Sequence, residues 1–315
     1  MEATLATIIA AATPLLFASI GETITEKGGV INLSLEGSLM LSALAGFVVA
    51  FETNNTWLGF AAAGAVGALF ALIVAFASIT LKLNQVAVGF VLAILGIALA
   101  SFLGSSYTGK PGGQIAVPPL DIPLLSDIPF VGGVLFEHDV VVYSAIVVVL
   151  VAWAFMFRTR QGLALQGVGE RPEAAHSRGI RVNRLRYRYT IIGGALVGIG
   201  GAAFTLDAKL GWSFQHTRNF GWIALAIVIF GGWHPLRVAA GVLLFGLLQW
   251  LALDLQDVFP NLTQVLPIMP FVLMILALVL VNADWLRSWA DRHPQWGNLV
   301  RGDAPSAIGT HFSAE

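Results

Sequence analysis

The heptapeptide GSSYTGK at 104–110 has the spacing of the loop that cradles phosphates in nucleotide hydrolases. That chemistry needs a strand before the loop, a Ser or Thr after the lysine to hold magnesium, and a helix whose N-terminus faces the phosphate. Here an apolar, helix-length stretch precedes the loop and Pro111 follows the lysine. We therefore interpret the pattern as a chance match and expect no nucleotide site there.

Other catalytic chemistry finds no support in the residue spacing. The 6 histidines are scattered, none has the H-x-x-x-H spacing with a carboxylate base, and cysteine is absent. No nucleophile with an adjacent base can be defended, so a membrane-embedded enzyme is disfavoured. We expect no catalytic residue, no metal and no cofactor in this chain. Its energy must then come from an ion gradient or from another subunit.

The composition is that of a membrane protein. The chain is 57% hydrophobic and only 11% charged, against about 25% charged for an average soluble domain. With a net charge of −1 there is no basic excess to suggest nucleic acid. A span needs about 20 mainly apolar residues. Eight stretches satisfy this: 5–20, 31–51, 57–79, 85–104, 140–157, 188–206, 236–254 and 265–281.

A ninth apolar run, 222–230, is too short to span as a simple helix, and it is flanked by GW and GGWHP. We interpret the region 222–232 as a broken or re-entrant element, which membranes tolerate where protein or a water-filled cavity covers the backbone. The predicted fold is an all-α polytopic membrane protein with about eight or nine transmembrane helices. Residues 1–286 form one membrane domain in this prediction, and 287–315 form a C-terminal tail.

Positive charge sets the predicted orientation. Eight of the 17 Lys and Arg residues lie between 158 and 188. An arginine costs about 2.5 to 3.5 kcal/mol at the centre of a span, so this segment must lie outside the bilayer, and the positive-inside rule assigns it to the cytoplasm. Alternation then puts the N-terminus and the loop 105–139 outside and residues 21–29 inside. The tail is cytoplasmic if 222–232 crosses the membrane.

The external loop 105–139 is too apolar for a disordered linker and too rich in proline and glycine for a helix, so we expect it to pack over the mouth of the protein. Within the membrane, the glycine pairs 193–194 and 200–201 predict close contact between helices.

Apart from Asp254, the last residue of the predicted span 236–254, Glu36 is the single carboxylate inside the predicted spans. An intramembrane carboxylate is costly and usually functional, so it is a candidate for ion coupling. It lies within about two turns of the start of its predicted helix, close to the interface, which argues against proton or sodium coupling. The alternative is a structural carboxylate that binds the exposed amides of a helix start or loop.

The stretch RPEAAHSRGI at 171–180 predicts a two-turn helix in the arginine-rich segment. Pro172 suits the first helical position, Glu173 lies in the first turn and Gly179 provides a stop. So short a helix is marginal in water and needs something to pack against. Ala174 and Ala175 would let another surface approach closely. The alternative is a positively charged anchor with an incidental turn.

Five segments resemble the permease subunits of bacterial ATP-binding cassette (ABC) importers for nucleosides and simple sugars, and most closely the shorter permease of nucleoside uptake systems. The resemblance covers about 21–256, and the fourth and fifth segments carry its most specific motifs. In chain order the segments are GVINLSLEGSLMLSALAGF, LNQVAVGF, DIPLLSDIPFVGGVLFEHDVVVY, RTRQGLALQGVGERPEAAHSRGIRVNRLRY and GWIALAIVIFGGWHPLRVAAGVLLFG.

The resemblance implies a bacterial inner-membrane subunit that works with a second, homologous permease, a cytoplasmic ATPase and an external substrate-binding lipoprotein. ATP and magnesium would bind the partner ATPase and not this chain. The loop 158–187 would hold the coupling helix that docks on the ATPase. The residues at the matching positions are Gly169, Glu170, Pro172, Glu173, Ala174, Ala175 and Gly179.

Six residues are candidates for the solute path in an alternating-access cycle: Asn32, Glu36, Asn84, Gln85, Trp212 and Phe214. The polar members could equally form hydrogen bonds between helices, and the aromatic ones could form a belt at the headgroups or stack on a nucleobase. Val88 and Ala93 stand where the family often has Ser and Asn, which leaves open a less polar ligand. A sugar importer remains the main alternative, followed by a stand-alone secondary transporter or channel.

Overall fold

The computed structural model describes residues 2–121, 131–258, 268–281, 288, 292 and 302–313. The protein is an all-α polytopic membrane protein. Its elements in chain order are α1 Glu2–Lys27, α2 Leu35–Thr53, α3 Thr56–Ala75, α4 Gln85–Gly104, β1 Pro119–Asp121, α5 Val131–Leu135, β2 Glu137–Asp139, α6 Val140–Arg158, α7 Arg160–Glu170, α8 Pro172–Ser177, α9 Val182–Ala203, α10 Phe220–Phe230, α11 Pro235–Val258 and α12 Met269–Val281.

Seven of the described helices are long and apolar enough to cross a bilayer, and they match seven of the eight predicted stretches. α3 and α9 each end in one π-helical turn, at Phe76–Thr80 and Phe204–Ala208. The eighth stretch, 265–281, is helical over Met269–Val281, and 265–267 lie outside the described residues.

Two predicted boundaries on the side of the arginines are wrong. α1 continues to Lys27, so most of the predicted cytoplasmic loop 21–29 is helix. α9 begins at Val182 and not at 188, and it buries Arg186. In both places charged side chains lie inside the protein with partners, and a charge then need not end a buried helix. α2, conversely, begins at Leu35 and not at 31.

The element near 222–232 is the short helix α10, preceded by a non-helical segment, in agreement with the predicted broken element. After α9 the chain passes through the non-helical segment 209–219, whose Trp212 packs on Gly104 at the end of α4. α10 then starts beside Glu36, near the first turn of α2, and the turn that follows α10 approaches Gly302. We call the end of the protein that holds the β1–β2 pair the hairpin end, and the end that holds α8 the α8 end. The segment 209–230 therefore runs from the hairpin end to the α8 end.

Small residues allow the central helices to pack closely. α9 contacts α1, α2 and α3 through successive glycines. A β-carbon placed on Gly200 would lie 2.6 Å from the carbonyl oxygen of Pro14, and one placed on Gly201 would lie 2.6 Å from that of Leu39. Both distances are too short for a side chain, so the glycine pairs are packing positions, as predicted.

The described part of the loop 105–139 packs on the hairpin end. β1 and β2 pair in antiparallel fashion, with Leu120 opposite His138. The Thr56 hydroxyl at the start of α3 donates to the carbonyl oxygen of Ile115 at 2.8 Å, and Pro111 forms a bridge with Gly211. Glu2 lies next to Gly133, so the start of α1 is at this end too. Residues 122–130 of the predicted cover lie outside the described residues.

Candidate functional site

The predicted helix at 172–179 is present as α8, which is six residues long and has Pro172 in its first turn. Arg171 makes no side-chain cap. Glu173, Ala174 and His176 are exposed, so one face of the helix is open to solvent. α8 has the geometry of a surface helix that could dock on a partner.

The opposite face of α8 packs inward. Pro172 and Ala175 are buried, and Ala175 belongs to a small apolar cluster with Val168, Val182 and Phe312. Of the two neighbouring alanines, only Ala174 is therefore available to an approaching surface, and the expectation that Ala175 would also be available is wrong. The residue spacing predicts a helix here. Which alanine faces inward depends on Phe312, near the end of the chain, and no local pattern connects that residue to α8.

The remaining candidate residues around α8 shape the backbone. Gly169 is buried against the carbonyl oxygen of Lys27, which leaves no room for a side chain. The Glu170 carboxylate accepts a hydrogen bond of 2.8 Å from the Ser306 hydroxyl. Gly179 has φ +84°, a left-handed conformation that favours glycine and ends α8. Gly169 and Glu170 thus fix the end of α7 against neighbouring segments, and Gly179 ends α8 through its backbone conformation.

Glu36 lies at the N-terminus of α10. Its carboxylate oxygens accept hydrogen bonds from the backbone N–H of Asn219 at 2.5 Å and of Gly221 at 2.8 Å. The first amides of a helix have no partner within the helix, and in a membrane they need acceptors from the protein. The carboxylate has the structural geometry that the sequence left as one of two alternatives.

The three polar residues Asn32, Asn84 and Gln85 accept hydrogen bonds from backbone N–H groups, two of them close in sequence and the third 54 residues away. The Asn32 side chain accepts from the Ser34 N–H at 3.2 Å, and the Asn84 side chain accepts from the Ala87 N–H at 3.0 Å at the start of α4. The Gln85 side chain accepts from the Ile31 N–H at 2.8 Å. Each fixes a turn or a helix start, and none of them lines the cavity at the hairpin end described below.

The two aromatic candidates lie in the segment 209–219. Trp212 is 2% exposed and packs in an apolar cluster with Leu206 and Ile115, and Phe214 packs at the edge of that cluster. Since its ring is buried in protein, Trp212 belongs neither to a headgroup belt nor to a stacking surface. The place of Trp212 and Phe214 on the solute path stays a prediction.

A cavity of about 270 Å³ opens at the hairpin end between α1, α9, α10, α11 and α12. The rings of Phe204 and Phe220 meet edge to face in its wall, with centroids 4.7 Å apart. Its volume is slightly below the range of about 300–1,000 Å³ that is typical of small-molecule pockets. Apolar rings and a few amides or charged groups line it together: Ala11, Phe204, Ala208, Lys209, Gln215, His216, Phe220, Gln249, Ala252, Leu253 and Pro270.

Two buried carboxylates in α1 escaped the sequence analysis, so the expectation that Glu36 is alone within the spans is wrong. Glu22 is 0% exposed, and one of its oxygens accepts from the Asn32 N–H at 3.0 Å. Glu26 is 4% exposed and accepts a hydrogen bond from the Trp233 indole N–H. The available signal was their i, i+4 spacing, which puts both on one face of a helix.

The α8 end also carries a group of basic residues. Lys27 at the end of α1 interacts electrostatically with Glu170, Arg237 and Asp303. Burial lowers the pKa of His234 in the turn before α11, and the positive charges of Arg237 and Lys27 lower it further. Both effects favour the neutral form of the His234 imidazole. Within the described residues, no group of His, Cys, Asp or Glu is arranged to hold a metal ion.

Known proteins resemble the chain over most of its length. The putative glucose ABC transporter permease protein TsgC13 of Haloferax volcanii is 42% identical over 254 residues, covering 79% of this chain and 76% of that protein. The nucleoside permease NupC of Lactococcus lactis is 33% identical over 90% of this chain and 94% of its own length. The guanosine permease NupQ of Bacillus subtilis is 32% identical over 98% of this chain and 95% of its own length.

No solved structure matches the chain. Residues 4–278 match the family described as the permease component of branched-chain amino acid transport systems, which is most of the chain. That family, the long apolar helices and the relatives just named agree with one another. The chain therefore belongs to this family of ABC transporter permeases.

Proposed function

We propose that the chain is one permease subunit of an ATP-driven importer in a bacterial inner membrane, and that α8 is the helix through which an ATPase drives it. The observation that carries this proposal is the exposed face of α8, formed by Glu173, Ala174 and His176. The solute moves by alternating access: closure of the partner ATPase displaces α8, and the spanning helices then open inward.

The proposal includes partners and an orientation. The ATPase, which holds ATP and magnesium, lies in the cytoplasm against α8, a second homologous permease completes the pathway, and an external lipoprotein delivers the solute. The N-terminus is outside and the tail 287–315 is cytoplasmic. The contacts of 302–313 with α7 and α8 support a tail on the same side as α8.

A nucleoside is the solute that we favour. The relatives described as nucleoside and guanosine permeases align over nearly the whole chain. The cavity at the hairpin end suits a base, because the Phe204 and Phe220 rings offer apolar faces and Gln215 and Gln249 offer amide groups. The polar candidates Asn32, Asn84 and Gln85 fit this role less well, since each is bonded to a nearby backbone group.

A simple sugar is the second candidate. The observation that favours it is the 42% identity to the putative glucose permease of Haloferax volcanii. Competition distinguishes the two candidates: with the binding protein, ATPase and second permease reconstituted in vesicles, excess guanosine should block uptake of labelled nucleoside, and glucose or ribose should not. Uptake of labelled sugar that glucose or ribose blocks and guanosine does not would assign the sugar.

The coupling role of α8 is tested by Glu173→Arg, with Asn183→Arg as the matched control, because Asn183 is exposed at the start of α9. Glu173→Arg should abolish ATP-dependent uptake and weaken co-purification of the ATPase, and the control should change neither. If Glu173→Arg retains both ATP-dependent uptake and co-purification of the ATPase, the coupling role of α8 is refuted. Uptake that follows an ion gradient in vesicles without the ATPase would point to a secondary transporter.

A further inference from the structure

The C-terminal segment 302–313 lies across the α8 end of the protein and contacts several chain turns there. No motif in the sequence connects this segment to the rest of the chain. Its contacts reach the turn after α1, the end of α7, α8, the first turns of α9, the turn between α3 and α4, and the turn between α10 and α11.

The closest of these contacts support α7 and α8. The Ala307 N–H donates to the carbonyl oxygen of Gly169 at 2.9 Å, next to the bond between Ser306 and Glu170. Phe312 is 7% exposed and shares the apolar cluster under α8 with Ala175, and its ring lies 5.4 Å from that of His176. The inward face of α8 therefore packs on a residue that arrives from the far end of the chain.

The same segment is bound to the ends of two spanning helices. The Gly309 N–H donates to the carbonyl oxygen of Gly29, in the turn after α1, at 3.0 Å. The buried Arg186 of α9 donates through Nε to the Gly28 carbonyl at 3.1 Å and through Nη1 to the Thr310 carbonyl at 2.8 Å. One guanidinium thus connects α9, the end of α1 and the C-terminal segment.

Further contacts continue to both sides. The Lys82 ammonium, in the turn before α4, donates to the Ser313 hydroxyl at 2.7 Å. At the other end of the segment Gly302 packs directly on Gly232, in the turn after α10. A six-residue helix is marginal by itself, so α8 depends on these partners for its position.

We propose that residues 302–313 form a clasp that makes α8 mechanically continuous with the ends of α1, α9 and α10, so that a displacement of α8 moves those helices. This role rests on the proposed function of α8. Without the clasp, α8 would still present its exposed face to the ATPase, but its inward face would lose Phe312 and the helix could shift without moving the bundle.

The clasp is first tested by the stoichiometry of transport. In Phe312→Ala, and in a chain that ends at residue 301, we expect solute carried per ATP hydrolysed to fall at least about fivefold, the lower limit of typical coupling between sites. Co-purification of the ATPase should stay within about twofold of the original, since Phe312 packs under α8 at Ala175 and leaves Glu173 and Ala174 exposed. Ala304→Ser is the matched control, because Ala304 is exposed. Unchanged stoichiometry, or loss of ATPase binding alone, would overturn the clasp.

A cross-link tests whether the clasp stays in place during the cycle. The chain contains 0 cysteines, so Lys82→Cys with Ser313→Cys can be joined by a short, cleavable bifunctional maleimide without competing sites. We expect the joined protein to transport as well as either single variant. If joining abolishes uptake and cleavage restores it, the segment must detach, and it is a strap that restrains α8 instead of a clasp.

A third measurement does not depend on transport and so separates failure of the clasp from failure of the proposed function. Amide hydrogen exchange of the purified chain in detergent reports local opening at 168–182. Phe312→Ala should speed exchange there at least about tenfold, as a free-energy loss above about 1.4 kcal/mol requires, and Ala304→Ser should not. Unchanged exchange in Phe312→Ala overturns the clasp even if α8 couples. Faster exchange in a chain that shows no ATP-dependent uptake overturns the proposed function and leaves the support of α8 by the segment established.

Discussion

The two short helices α8 and α10 differ in what surrounds their first turns. α10 begins inside the protein, and because Asn219 gives it no side-chain cap, Glu36 of α2 supplies both acceptor oxygens. α8 begins at the surface, where Arg171 gives no side-chain cap, Pro172 has no N–H to satisfy and Glu173 is exposed. A helix start shielded from water needs acceptors from the protein, whereas an exposed one can use water. α10 is therefore fixed by a spanning helix at its first turn, and α8 is not.

The far ends of the two helices repeat the difference. The turn after α10 carries Trp233, which is buried and donates to Glu26 of α1. α8 ends at Gly179, where a β-carbon would meet no atom within 4 Å. α10 is thus held at both ends, by α2 and α1, while α8 is held from one side. This difference suits α10 as a helix that moves together with the spanning helices, and α8 as the helix that a partner displaces.

The largest effect should come from removing the acceptor at the start of α10. Glu36→Ala leaves the N–H groups of Asn219 and Gly221 without partners, and each such buried group costs about 1–3 kcal/mol, so the loss is roughly 2–6 kcal/mol. Thermal unfolding in detergent should show a markedly lower midpoint, and uptake should fall with the amount of folded protein. Glu36→Gln keeps an acceptor oxygen and should lie in between. If Glu36→Ala is stable but does not transport, the carboxylate serves the solute path instead.

Trp233→Phe tests the other end of α10. It removes the N–H that Glu26 accepts, and we expect a loss of about 1–3 kcal/mol, measured as a lower unfolding midpoint. Trp222→Phe, in α10 itself and away from Glu26, is the control and should lose less. Equal losses in the two variants would mean that ring volume, not the bond to Glu26, holds this end.

Local patterns predicted the membrane class, the broken element near 222–232 and the short helix within 172–179, because each depends on neighbouring residues. Apolar length gives a span, flanking glycines give a break, and proline followed by a glycine stop gives a short helix. The same reasoning ended α1 too early. Glu22 and Glu26 indicate a loop unless their partners are known, and the partner of Glu26 is Trp233, 207 residues away in sequence.

The site follows the same rule. The position of α8 could be predicted, but the direction of its faces depends on Phe312, and the burial of Gly169 depends on Lys27. The solute-path candidates were chosen for polarity at span ends, and Asn32, Asn84 and Gln85 proved to be bonded to turns and helix starts. Polarity alone does not distinguish a residue that caps a helix from one that meets a solute.

Two adjacent alanines sharpen the contrast within α8. Ala175→Leu adds volume against Phe312 and Val168, which should cost about 1–3 kcal/mol and speed amide exchange in α8. Ala174→Leu adds the same volume on the exposed face, so stability should stay within about 0.5 kcal/mol while ATPase co-purification falls. Stability and docking should thus respond to different residues. Loss of ATPase binding in Ala175→Leu with unchanged exchange would reverse the assignment of the two faces.

The smallest effect concerns Gly179 at the end of α8, compared with Gly167 in α7, since a β-carbon on either glycine would meet no atom within 4 Å and their backbone conformations differ. Gly179 has φ +84°, so Gly179→Ala should cost about 1–2 kcal/mol through backbone strain alone. Gly167 lies within α7 with equally open space around it, and Gly167→Ala should gain about 0.5–1 kcal/mol from helix propensity. The two midpoints of thermal unfolding should therefore move in opposite directions. If both rise, α8 has no fixed end at Gly179, and its exposed face can turn relative to the bundle, which would weaken the case for it as a rigid docking element.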